Sequence, residues 1–127
     1  MKHLLLTTIA AVVLAGCATI QSPEALSDIS IRQAAWDGDI QVVKQHLATG
    51  VDVDEKDLYG ETSLHYATFN GRKETAELLI DKGADVNAKA NNGTPLDWAI
   101  FRNHTETAAL LRKHGGKTAK ELTAKGK

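Results

Sequence analysis

The chain is poor in cysteine, in aromatic rings and in long apolar runs. A single cysteine, Cys17, excludes an internal disulfide framework and any multi-cysteine zinc site. Neither sign of charge dominates: 15 Lys and Arg stand against 16 Asp and Glu, so no bulk attraction to nucleic acid follows. Beyond the N-terminus no apolar stretch approaches the roughly 18 residues of a spanning helix, so the body of the chain does not cross a membrane. A length of 127 residues leaves room for one small domain.

What is present begins with an address. Met1, Lys2 and His3 make a short positive start, followed by the apolar run Leu4–Leu14, LLLTTIAAVVL. That run is too short to span a bilayer and suits the core of a signal peptide. It ends in Leu14-Ala15-Gly16-Cys17, which resembles the bacterial lipobox. The resemblance implies cleavage before Cys17 and acylation of its thiol, which removes the one thiol from any nucleophilic role. Two or three acyl chains hold a protein on a bilayer where one is marginal. Ala18 follows in place of Asp, and by the same resemblance this implies the outer membrane, facing the periplasm. Residues 1–16 are therefore read as a signal peptide. Residues 17–26 are the lipidated cysteine and a tether, since ATIQSPEAL has no periodicity and contains Ser22-Pro23.

The body repeats. Ala34, Ala67 and Ala99 are 33 and 32 residues apart. Ile31, Leu64 and Leu96 keep that spacing, as do Gly50, Gly83 and Gly115, and Gly38, Gly71 and Asn103. Self-similarity at this period marks a repeat architecture. Gly60-Glu61-Thr62-Ser63-Leu64-His65-Tyr66-Ala67, Gly83-Ala84-Asp85-Val86-Asn87-Ala88 and Thr94-Pro95-Leu96-Asp97-Trp98-Ala99 then carry a resemblance to ankyrin repeats. It implies an all-α solenoid of about three helix-turn-helix units with hairpin-like fingers over residues 27–122. The units are about 27–57, 58–90 and 91–122, and residues 123–127 are read as a frayed tail.

The residues support the same units. Thr62 and Thr94 are N-cap candidates, with Pro95 at the first helical position and Asp97 placed for a capping box. His65 holds the capping-box place in the central unit. First helices end near Gly38, Gly71 and Asn103, and second helices at Gly50, Gly83 and Gly115. Val42, Val43 and Leu47, then Ala76, Leu79 and Ile80, then Ala108 and Leu111 make the apolar faces of the second helices. Fingers are expected over 51–60 and 84–93, with Val53 and Val86 inward. Thr118 starts a last short helix, with Leu122 packing back. One such unit cannot bury its own apolar face, and about three are the minimum for stability.

Chemistry is sparse. Gly115-Gly116-Lys117-Thr118 has Leu111 where a phosphate loop needs glycine. His46, His65, His104 and His114 fall at different phases of the repeat, so no zinc cluster is expected. His65 is expected to bond backbone near the finger, and His104 to be exposed. Haem or copper ligation by His104 or His114 defines an alternative, a small-ligand carrier. Ser22, Ser27, Ser30 and Ser63 lie in no nucleophile motif, and Asp52, Asp54, Glu55 and Asp57 lack the spacing of a calcium loop. No cofactor and no catalytic residue are expected.

The resemblance implies protein binding through the finger tips and the concave face of the first helices. Trp36, Phe69 and Phe101 share one phase and would form an aromatic stripe there. Asp37, Asn70 and Arg102 follow as a polar rim, with Leu58, Tyr59 and Asn91 at the finger tips. The stripe either binds a partner or packs onto neighbouring loops. The function expected is a non-enzymatic interaction module on a bacterial envelope membrane. Its partner would be an envelope enzyme that it supports, a membrane complex that it scaffolds, or an effector that it neutralises.

Overall fold

The glycine and threonine punctuation of the sequence becomes a run of short helices. The computed structural model describes residues 29–125, and the lipobox, Cys17 and the tether lie outside the described residues. The helices are α1 (Ile31–Asp37), α2 (Ile40–Ala48), α3 (Ser63–Phe69), α4 (Lys73–Asp81), α5 (Pro95–Phe101), α6 (Thr105–Lys113) and α7 (Ala119–Lys125). All lie within the unit Ile31–Lys127. The pairs α1–α2, α3–α4 and α5–α6 are the three repeats. First helices stack in the order α1, α3, α5, and second helices in the order α2, α4, α6. The expected all-α solenoid is thus the observed architecture.

Each repeat is held by the same bonds. Ala34, Ala67 and Ala99 are buried to within a percent, because only a methyl group fits where the two helices of a unit approach. Their carbonyls accept from Asp39, Arg72 and His104 at 2.8–2.9 Å, turning the chain between first and second helix. At that turn Gly71 has φ of 65° and Asn103, among the described residues the one positive-φ residue other than glycine, has 60°. Asparagine tolerates this left-handed conformation better than other side chains do. Second helices end where a residue beyond the helix donates back five positions: Val51 to His46, Ala84 to Leu79 and Gly116 to Leu111.

The core runs along the array. Ile31, Val43, Leu64, Leu79, Leu96, Leu110 and Leu111 are buried in one cluster, with Val53 and Val86 packed against it from the fingers. Each such side chain contributes about 1.5–3 kcal/mol on leaving water. Leu110 joins this face beside the expected Ala108 and Leu111.

The caps form as the sequence implies. Thr94 Oγ1 accepts from the Asp97 N–H at 3.3 Å, and Asp97 Oδ2 accepts from the Thr94 N–H at 2.9 Å. Ser63 and Pro95 occupy the same first helical position. The fingers are tight turns rather than strands. Among the described residues the one β-bridge pairs Ala90 with Gly93 across Asn91-Asn92. Thr118 opens α7 through a reciprocal pair with Glu121, at 2.7 and 3.1 Å. This helix runs to Lys125, past the Leu122 boundary read from the sequence, and so takes in residues assigned to a frayed tail. Its first turn is fastened to α5, where the Ala119 N–H donates to Asp97 Oδ2 at 2.8 Å. Arg112, exposed at the end of the array, pairs with Glu121 at 3.0 Å.

Candidate functional site

First helices place aromatic side chains at three-residue spacing, Tyr66 with Phe69 and Trp98 with Phe101, so each pair shares one helix face. Stacking the helices brings the pairs together. Trp36 lies flat against Phe69, centroids 5.2 Å apart, and meets the edge of Tyr66 at 6.1 Å. Phe69 in turn meets Trp98 at 4.8 Å, edge to face. The expected stripe of Trp36, Phe69 and Phe101 is therefore corrected at its third rung. Trp98, not Phe101, continues the ladder, because a first helix presents its Tyr66/Trp98 face to the ring of the preceding unit. Phe101 is left 76% exposed. The Arg102 guanidinium lies over the Phe69 ring, 4.4 Å from its centroid.

Between this ladder and the second finger is a recess of about 700 Å³, bounded by Phe69, Trp98, Phe101, Asn91, Asn92 and Asp97 and closed at one end by Ala119. In the sequence Trp98 stands out only as part of the third repeat motif. Its spacing from Phe101 was the signal that the two line one cavity.

The finger tips are fastened to each other. The Asn91 N–H donates to the Tyr59 carbonyl at 2.9 Å, and Asn92 Nδ2 donates to Glu61 Oε1 at 3.2 Å. Asp54 Oδ1 accepts the Asp85 N–H at 2.9 Å, and Asn87 Oδ1 accepts the Lys117 N–H at 2.7 Å, the same bond one repeat later. The acids of the first finger are thus structural pieces. Asp57 Oδ1 takes the N–H groups of Tyr59 and Glu61 at 2.8 and 2.9 Å, and Oδ2 takes the Tyr66 hydroxyl. Burial pushes the Asp57 carboxyl up, but Tyr66, these two N–H groups and Arg32 together outweigh it and hold it below its ordinary value. Burial and the same carboxylate raise the Tyr66 phenol. The tip itself is bare: Leu58 is 97% exposed and Tyr59 60%.

The remaining predicted residues divide. Asn70 is a strut, since its Nδ2 and the Arg72 Nε both donate to the Trp36 carbonyl at 3.0 Å. Asp37 is exposed and holds Gln33 of its own helix. Leu58, Tyr59 and Asn91 come together at the tips, and Asn91, Phe69 and Phe101 around the recess, with Arg102 beside it. His104 is half-buried rather than exposed, because its Nε2–H donates to the Phe69 carbonyl at 3.0 Å. Among the described residues no group of three or more His, Cys, Asp or Glu converges as metal ligands would.

Comparison with known proteins agrees with this geometry. A family model of ankyrin repeats, three copies, matches residues 31–121. Serine/threonine-protein kinase 12 of Arabidopsis thaliana is 34% identical over 90 residues, which are 70% of this chain and 20% of the kinase. Ankyrin repeat protein nuc-2 of Neurospora crassa is 34% identical over 99 residues, 76% of this chain and 9% of that protein. An ankyrin repeat protein of Rickettsia bellii is 39% identical over 83 residues, 63% of this chain and 46% of its own length. The chain thus spans less than half the length of these relatives, and the activity in the kinase's name is not transferred. The chain belongs to the ankyrin-repeat family, and its three repeats form a protein–protein interaction module.

Proposed function

We propose that this array is a non-enzymatic binding module displayed as a lipoprotein on a bacterial envelope membrane, anchored at Cys17 and facing the periplasm. Its partner is a periplasmic or membrane protein, held by the finger tips and the first-helix face. The anchor is supported by Leu14-Ala15-Gly16-Cys17 and the apolar run before it. The observation that carries the binding reading is the exposed apolar front. Leu58 and Tyr59 stand bare at the first finger tip, and Phe101 beside a recess walled by aromatic rings. Such bare rigid area is what interface hot spots are built from.

Two experiments test the two halves separately. Metabolic labelling with an alkyne fatty acid should mark the wild-type protein and leave Cys17→Ser unlabelled; equal labelling of both sinks the anchor. For binding, a photo-crosslinking residue is placed in cells at Leu58, Tyr59 or Phe101, and at Glu77 and Ala109 on exposed positions of the second helices. Adducts to a discrete protein are expected from the first three positions and not from the last two. Crosslinks from the second helices alone move the interface to the other side of the array.

A further inference from the structure

The recess beside Phe101 has the form of a vacancy in the aromatic ladder. Trp36 has the Phe69 and Tyr66 rings of the next unit against it, and Phe69 has Trp98. Phe101 stands at the corresponding place in the last unit. The element that follows, α7, brings only the small Ala119 to the recess. Among the described residues Phe101 has no ring partner, and most of its surface is bare.

The charges around the recess are unequal in their commitments. Asp97 Oδ2 already takes the Thr94 N–H at 2.9 Å and the Ala119 N–H at 2.8 Å. Glu61 is buried and accepts from Asn92. Glu121 is taken by the Thr118 N–H and by Arg112, which hold its carboxyl down at about 2. Arg102 differs. Among the described residues its guanidinium has no carboxylate within ion-pair distance, and it rests on the Phe69 wall of the recess. A guanidinium on an aromatic face keeps its edge donors free for a carboxylate.

Resting on the binding reading above, we propose that the recess takes an extended segment of a partner protein that carries an aromatic side chain with an Asp or Glu beside it. The ring enters against Phe101 and Trp98 and completes the ladder, and the carboxylate meets Arg102. In an extended chain, residues i and i+2 lie on the same face about 7 Å apart. An acid two positions from the inserted ring therefore faces the same wall, where Arg102 lies on Phe69. The exposed amides of Asn91 and Asn92 at the rim supply donors and acceptors for the backbone of such a segment.

The test uses a phage-displayed library of random dodecapeptides, panned on the purified full-length protein in detergent micelles. Enriched sequences should pair an aromatic residue with an acid at the next-but-one position. A fluorescein-labelled synthetic peptide of the enriched sequence should bind about tenfold more weakly to Phe101→Ala. Arg102→Gln should weaken it roughly threefold to thirtyfold and flatten its salt dependence, with Arg102→Lys between. Circular dichroism should show all three variants folded, since both side chains are exposed. Enrichment of basic peptides, or binding indifferent to Arg102→Gln, overturns the proposal. Peptides lost on Leu58→Ala or Tyr59→Ala but kept by Phe101→Ala also overturn it, while leaving the binding module in place. No enriched peptide, together with no crosslink from the front positions, defeats both.

Discussion

The imidazole of His65 joins the second repeat to the third. Its Nδ1 accepts the Thr62 N–H at 3.1 Å, and its Nε2–H donates to the Gly93 carbonyl at 3.1 Å. A carbonyl can only accept and an N–H can only donate, so the two bonds together require the neutral ring protonated on Nε2. The ring is fully buried, and burial lowers its pKa below the ordinary 6.5 against the smaller opposing effect of Gly93.

This makes stability depend on pH. The unfolded chain takes up a proton at His65 near 6.5, whereas the folded chain resists until lower pH. The stabilisation is therefore complete above 6.5 and declines as pH falls toward the depressed folded value, by at most about 1.4 kcal/mol per pH unit. Urea midpoints should fall between about pH 7.5 and pH 5.5 in the wild type. In His65→Gln this slope should be absent on a lower baseline; an unchanged slope assigns the effect elsewhere.

Ser63 is out of keeping with its repeat partner. It occupies the first helical position, where α5 has Pro95, and its hydroxyl is buried without a hydrogen-bond partner. Thr62 is already extended, with φ of −103° and ψ of 172°, as a residue before proline must be. Ser63→Pro removes the orphaned hydroxyl and restricts the unfolded chain, and should stabilise the array by about 1 kcal/mol. Thermal denaturation of the single variant measures this, and a lower melting temperature contradicts it.

Gly71 should tolerate no side chain. Its φ of 65° already strains an L-residue, and a Cβ there would stand 2.6 Å from His104 Nδ1. Relieving that overlap turns the imidazole away from the Phe69 carbonyl. Gly71→Ala should cost about 1–3 kcal/mol, from the backbone conformation and the lost bond together. Gly50→Ala, with φ of 94° but open space around it, isolates the backbone part and should cost less.

The aromatic residues should separate into a packing set and a free one. Phe69→Ala removes the ring shared by Trp36, Trp98 and Arg102 and should cost about 3 kcal/mol. Phe101→Ala, on a largely bare ring, should change stability by less than about 0.5 kcal/mol. Equal losses in the two variants show that Phe101 is held by packing and remove it from the binding surface.

Much of this fold is local, and local signals reach the sequence. Thr94-Pro95 with Asp97 three positions on is a helix start because the atoms that cap it lie within one turn. Gly83 and Gly115 are stops because each carries the left-handed turn in its own backbone. The assignment of Asp54 and Asn87 to their neighbours' backbones was not legible in the same way. Both bonds cross between fingers more than 25 residues apart, and nothing in an aspartate or asparagine says which distant N–H it will meet.

The sequence by itself determined the period, the turns that end the repeat helices, the buried leucine and alanine positions, and thereby the solenoid. Those properties follow from the spacing of apolar side chains and from residues with special backbone freedom. Tertiary structure decided which rings touch. Phase alone aligned Trp36, Phe69 and Phe101, but the lateral offset between stacked helices set Phe69 against Trp98 and left Phe101 to solvent. It also decided which charges are spent: Asp97, legible as a capping residue, takes the distant Ala119 N–H as well, and Arg102, read as a rim charge, lies on the Phe69 ring.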